Sequence, residues 1–166
     1  ATPGTLTVSG ALSLSAGTQL AYNFGQAGVV GGPLNDLTVV KGDLTLDGTL
    51  NVATTAGGSF EPGLYRILSY DGALTDNGLA LGTMPAGDYQ VQTAVAHQVN
   101  LVNATGVVLN FWDGAGAGRF DGQVSGGDGI WQSGGNDNWT NDTGQLNAAY
   151  APDAFAIFSG TAGTVT

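Results

Sequence analysis

The stretch from Asn35 to Val52, N-D-L-T-V-V-K-G-D-L-T-L-D-G-T-L-N-V, constrains the fold more than any other. Its apolar residues come as alternating pairs, Leu37 with Val39, Leu44 with Leu46 and Leu50 with Val52, with breaks at Gly42 and Gly48. Alternation at period two makes each pair one face of a strand. The breaks are too short to hold a helix, so three very short strands follow one another. Their Leu and Val residues are expected to build the core, with Lys41, Asp43 and Asp47 on the exterior. Such a chain either winds as a coil or zigzags as an antiparallel sandwich. Sandwich strands run to about five or six residues and carry a more charged outer face, which favours the coil.

Composition narrows the class in the same direction. Glu61 is the only glutamate and Lys41, Arg66 and Arg119 are the only basic side chains, too few to cover helix surfaces. With 42% hydrophobic residues spread along 166 positions, the chain buries a core rather than staying disordered. The formal net charge of −10 comes from scattered single aspartates. Three isolated cations do not neutralise a phosphate backbone, which excludes nucleic acid, and an anionic membrane surface repels the chain. No apolar run approaches the ~20 residues of a spanning helix, so membrane insertion is not expected. Ala1-Thr2-Pro3-Gly4 has neither the basic nor the apolar region of a signal peptide, and the chain reads as a piece of a longer one.

An imperfect internal repeat joins Gly10-x-Leu12-x-Leu14 to Gly42-x-Leu44-x-Leu46, each after an L-T-V. Between the copies, Gly25 to Leu34 is glycine-rich and predicts a longer loop. One apolar pair per turn, from Leu20/Tyr22 through Leu44/Leu46, Tyr65/Ile67, Tyr89/Val91, Leu109/Phe111 and Trp131 to Phe155/Ile157, steps by roughly 20 to 24 residues, giving about seven rungs. A composition change near Asn103 to Gly106 divides residues 1–103 from an aromatic-rich stretch, 104–166, that is expected to continue the same coil.

Asn35-Asp36-Leu37-Thr38-Val39, Gly42 to Val52 and Pro62-Gly63-Leu64-Tyr65-Arg66-Ile67 resemble the passenger region of bacterial autotransporters, the type V secreted proteins of Gram-negative outer membranes. Phe111-Trp112-Asp113-Gly114, Gly129-Ile130-Trp131, Asn138-Trp139-Thr140 and Phe155-x-x-Phe158-Ser159-Gly160 with the closing Gly163-Thr164-Val165 are similar to that family's associated β-strand repeat. The resemblance implies an all-β, right-handed parallel β-helix displayed at the cell surface, tethered to the outer membrane by a barrel outside this stretch. It implies adhesion, cell aggregation or biofilm formation, through self-association or contact with a host or bacterial glycan or a matrix protein. It carries over no binding residue, because the shared positions are coil-forming ones, and no catalytic residue or cofactor.

The chemistry in the residues points the same way. His97 is the only histidine, and no G-x-S-x-G surrounds a serine. A polysaccharide-processing β-helix, the alternative reading, needs paired carboxylates or cations at one cleft, and the three basic residues lie far apart in sequence. Asp113-Gly114, Asp121-Gly122, Gly126-Gly127-Asp128-Gly129 and Asn136-Asp137-Asn138 match no calcium loop and read as turns. Trp112, Asp113, Trp131, Asn136, Asn138 and Trp139 form the candidate glycan contact, aromatic rings stacking on sugar faces beside hydroxyl-binding polar groups. The favoured reading, however, places the aromatics of this third, Phe111, Phe120, Tyr150, Phe155 and Phe158 included, inside the coil, where each buries a large apolar area. Open strand edges make end-to-end stacking of the piece a further expectation.

Overall fold

The computed structural model describes residues 2–166 apart from Ala117, Ser133, Asp153 and Phe155. The fold is all-β: the described residues form strands, turns and loops, with no helix and hence none long and apolar enough to cross a membrane. Two compact units divide the chain, Ala1–Asn103 and Ala104–Thr166.

In the first unit the strands are β1 (Thr5–Val8), β2 (Leu12–Ser13), β3 (Gln19–Phe24), β4 (Leu37–Val40), β5 (Leu44–Leu46), β6 (Thr49–Thr54), β7 (Gly63–Tyr70), β8 (Leu74–Asp76), β9 (Ala80–Leu81), β10 (Tyr89–Gln92) and β11 (Gln98–Asn103). They form three sheets, β1-β4-β7-β11-β10, β2-β5-β8 and β3-β6-β9. From β1 to β9 every pairing is parallel, and the chain crosses the three sheets in the same order three times. Leu12 lies opposite Leu44, thirty-two residues on, and Leu44 opposite Leu74, thirty residues on. The pairing interval is therefore thirty to thirty-two residues, not the 20 to 24 expected. The apolar pairs chosen for that count belong to different sheets: Leu20/Tyr22 to β3, Leu44/Leu46 to β5 and Tyr65/Ile67 to β7. Nor do seven rungs appear among the described residues. After three passes β11 and β10 extend the first sheet antiparallel, reversing at His97, whose φ of 64° is left-handed.

Side chains repeat at the same interval as the pairings. Leu44, Leu46, Leu50 and Val52 are buried, joined by Tyr22, Phe24, Tyr65, Ile67, Leu68, Val99 and Leu101. Lys41 and Asp43 are exposed, Lys41 pairing with Asp71 at 3.3 Å, and Asp47 is half-buried. In β4 the phase differs by one residue from the expected one: Thr38 and Val40 point inward while Leu37 and Val39 are half-buried. The Thr38 hydroxyl is satisfied there by the Tyr22 phenol at 2.6 Å, which removes the cost of burying it.

Short strands demand frequent corners, and each corner leaves backbone groups that need partners. Asp36 accepts from the Gly4 and Asn23 amides, Asp43 from Ala73 and Asn51 from Thr83. The expected Gly25–Leu34 loop is held by Asn35, which is 1% exposed. Its Oδ1 accepts from Gly25 and Gln26, and its Nδ2 donates to the carbonyls of Gln26 and Val29. Ahead of β2, β5 and β8 three glycines stack. The Gly72 amide donates to Gly42 O at 3.0 Å, and a Cβ on Gly42 would lie 2.8 Å from Ala11 N.

Gly42→Ala should therefore cost about 1–3 kcal/mol by overpacking, and Leu44→Ala about 2–5 kcal/mol by leaving a cavity, both read from urea unfolding midpoints. Burial pushes the phenols of Tyr22 and Tyr65 up to about 12, with the nearby charges of Asp36 and Glu61 acting in the same direction. An unfolded tyrosine ionises near 10, so the unfolded chain releases these protons first. Stability from these two groups should be fully present below pH ~10 and lost as pH rises towards ~12, measured as a falling unfolding midpoint across that window.

Candidate functional site

The second unit contains β12 (Phe111–Trp112), β13 (Trp139–Thr140), β14 (Asn147–Ala148) and β15 (Ile157–Phe158) in the order β14-β13-β12-β15. Here β12 and β15 run parallel, whereas β13 pairs antiparallel with both β12 and β14. Parallel bridges from Gly126 to Thr161 and from Gly129 to Val165 carry the chain's end back along its earlier course. The sheet is thus mixed, unlike the simple run of parallel rungs expected for residues 104–166.

Trp139 sits at the centre of the aromatic cluster with no exposure. Ring centroids of Tyr150, Trp112, Trp131 and Phe158 lie 4.7, 5.2, 5.3 and 5.8 Å from it. These separations are those of favourable tilted and edge-to-face contacts. Trp112 is also buried, its Nε1 donating to Gly127 O at 2.8 Å. The outer members are Trp131, 41% exposed, and Phe158, 51% exposed, with centroids 5.8 Å apart. Phe155 lies outside the described residues. An open groove of about 300 Å³ beside Phe158 is lined by Trp112, Gly127, Thr161 and Val165 among others.

The polar residues of the candidate contact are occupied with the fold. Asp113, 2% exposed, accepts from the Ser125 amide at 2.6 Å and from Asn147 Nδ2 at 2.7 Å, and Asn147 Oδ1 accepts from the Phe120 amide. One buried carboxylate thereby joins β12, β14 and the intervening loop. Arg119 donates to Asp137 at 3.0 Å and to Asn138 Oδ1 at 2.5 Å, with the side chains of Arg119 and Asp137 only 8% and 10% exposed. Asn136 and Asn138 both donate to Ile130 O, and Asn136 Oδ1 is buried without a hydrogen-bond partner. Of the six sequence-derived contact residues, Trp112, Asp113, Asn138 and Trp139 face inward, Asn136 is half-buried and Trp131 alone is exposed.

Phe158, absent from that set, joins Trp131 on the outside. Its sequence signal was only membership of the aromatic third. The acidic turns use their carboxylates on backbone amides: Asp121 accepts from Gln123, and Asp128 from Thr164. Among the described residues no three His, Cys, Asp or Glu side chains gather as metal ligands. His97 is exposed, with Nδ1 3.0 Å from Tyr70 O.

Over 164 residues, 98% of its length, the chain is 61% identical to the adhesin BmaC autotransporter of Brucella suis biovar 1 (strain 1330). That likeness supports an autotransporter passenger origin for the chain. It spans 5% of that protein's length. No family profile matches it, and no solved structure does.

Arg119→Ala should destabilise the second unit by about 3–5 kcal/mol, because it removes the guanidinium that pairs with the buried Asp137 carboxylate at 3.0 Å. The double variant Arg119→Ala, Asp137→Ala should lose less than the single one. Urea unfolding followed by tryptophan fluorescence, which reports this unit's three tryptophans, measures both.

Proposed function

We propose that this chain is a stretch of right-handed parallel β-helix in the surface-displayed passenger of an adhesive autotransporter. In this reading it spaces and presents contacts and catalyses nothing. The observation that carries the reading is its 61% identity to part of an autotransporter adhesin. Three parallel passes at a regular interval in residues 1–103 support the coil, and residues 104–166, with their mixed sheet, serve as a second, different unit. The adhesion is multivalent: many weak polar and aromatic contacts add up when copies of a passenger meet on facing surfaces.

Self-association between neighbouring cells is the first use, with attachment to a host or bacterial glycan or a matrix protein beside it. Taken alone, the piece presents the edges of β1, β2 and β3 as outermost strands, and edges of this kind template further strands, so end-to-end stacking is expected of the isolated 166 residues. Sugar contact falls to exposed Trp131, with Phe158 beside it. The acidic surface suits neutral rather than anionic glycans.

Cells displaying the whole passenger should aggregate and attach more than cells displaying one that lacks these 166 residues; equal aggregation and attachment would sink the adhesive reading. Trp131→Phe, which keeps a ring against Trp139 and Tyr150, should lower binding to an array of neutral glycans with a smaller loss of unfolding midpoint than Trp131→Ala. Unaltered array binding would remove the sugar contact.

A further inference from the structure

Asn77 and Gly78 form the one Asn-Gly pair in the sequence, and they occupy the exposed corner between β8 and β9. Gly78 has φ +91°, a left-handed conformation that glycine adopts without strain, and a Cβ placed on it would meet nothing within 4 Å. Its amide N–H donates to Asp76 Oδ1 at 2.9 Å. The other carboxylate oxygen, Oδ2, accepts from the Thr93 hydroxyl at 2.8 Å, so the carboxylate is held at both ends. The Asn77 backbone amide is committed to Leu46 O at 2.9 Å, whereas its side-chain amide makes no hydrogen bond among the described residues. An uncommitted, solvated carboxamide thus stands beside an unshielded backbone nitrogen whose proton already points at a fixed acceptor.

We propose that Asn77 is a site of spontaneous deamidation through a succinimide, with Asp76 receiving the Gly78 amide proton. The Gly78 nitrogen bonds to Asn77 Cγ as its proton passes to the Asp76 carboxylate. The Cγ–Nδ2 bond then breaks, the proton goes to the departing nitrogen, and ammonia leaves. Water opens the five-membered ring at either carbonyl, giving aspartate or isoaspartate. Amide and water become acid and ammonia, and nothing is oxidised or reduced. Only glycine at position 78 leaves the attacking nitrogen without a neighbouring side chain. Either product adds a negative charge to the corner. Isoaspartate also lengthens the main chain between β8 and β9, next to the bonds from Asn77 N to Leu46 O and from Ala80 N to Gly48 O that tie the third pass to the second. The reaction is therefore a slow chemical clock that loosens the third pass.

The test incubates the folded full chain at mildly alkaline pH, with a second sample in denaturant. Peptide mapping by mass spectrometry and enzymatic isoaspartate methylation then follow both. The folded sample should convert residue 77 to a mixture of aspartate and isoaspartate ahead of every other asparagine. Gly78→Ala and Asp76→Asn should each slow the conversion, and Asn77→Gln should abolish it there. An intact amide at Asn77 in the folded sample, or conversion confined to the denatured one, would overturn the site. Conversion at the wild-type rate in folded Asp76→Asn would overturn the proton-acceptor role.

Discussion

The structure depends on satisfying backbone amides at closely spaced corners. The parallel strands of the first unit run from two to eight residues, so a large share of the chain lies in turns where the ladder cannot supply partners. A buried or half-buried amide without an acceptor costs as much as a lost hydrogen bond. Short side chains bearing carboxylate or carboxamide oxygens meet that need at Asp36, Asp43, Asn35 and Asn51 in the first unit, and at Asp113, Asp121, Asp128 and Asn141 in the second. Glutamate, with its longer and more mobile stem, is a poorer corner acceptor, and Glu61 offers its backbone carbonyl, not its carboxylate, to the Tyr65 phenol and Asn103. The near-absence of glutamate and the abundance of aspartate are then two sides of one requirement.

Between corners, alternation did most of the work, and much of it was legible. Leu44, Leu46, Leu50 and Val52 announced their phase because each is flanked by Thr, Asp or Asn. In β4 the run L-T-V-V offers two phases, and the inward one was chosen by a phenol sixteen positions earlier in the chain, a partner no local pattern reveals. The interval was misread for a related reason. With three strands to a pass, a regular series of apolar pairs can be drawn that changes sheet at every step. The better marker was present in Gly10, Gly42 and Gly72, each two residues before a leucine. Glycines at a tight corner report backbone approach, which recurs once per pass, whereas apolar pairs recur once per strand.

The second unit hid more. Eight aromatic side chains between Phe111 and Phe158 marked a cluster, yet spacing alone did not say which of them close it. Trp139 and Trp112 are covered because the β13–β14 hairpin folds antiparallel onto β12, and hairpins of two-residue strands leave almost no periodic trace. Asp113 and Asn138, adjacent to those tryptophans, looked like ligand-binding groups and are instead internal ties. Burial of the rings and consumption of the polar groups have a common cause: a small mixed sheet has few backbone bonds, so side chains must complete it.

The same accounting bears on how an acidic chain makes contact with anything. Its negative charge is a by-product of corner chemistry, distributed wherever the backbone turns, and the carboxylates that carry it are largely spoken for by amides. Among the described residues these charges do not gather as metal ligands, and their summed field discourages anionic surfaces. The exposed groups that carry no charge include the Trp131 and Phe158 rings and the apolar side chains of Val108 and Ile130. Contacts of those kinds are individually weak and nearly insensitive to salt, so an adhesive surface built from them must work by number rather than by any single site.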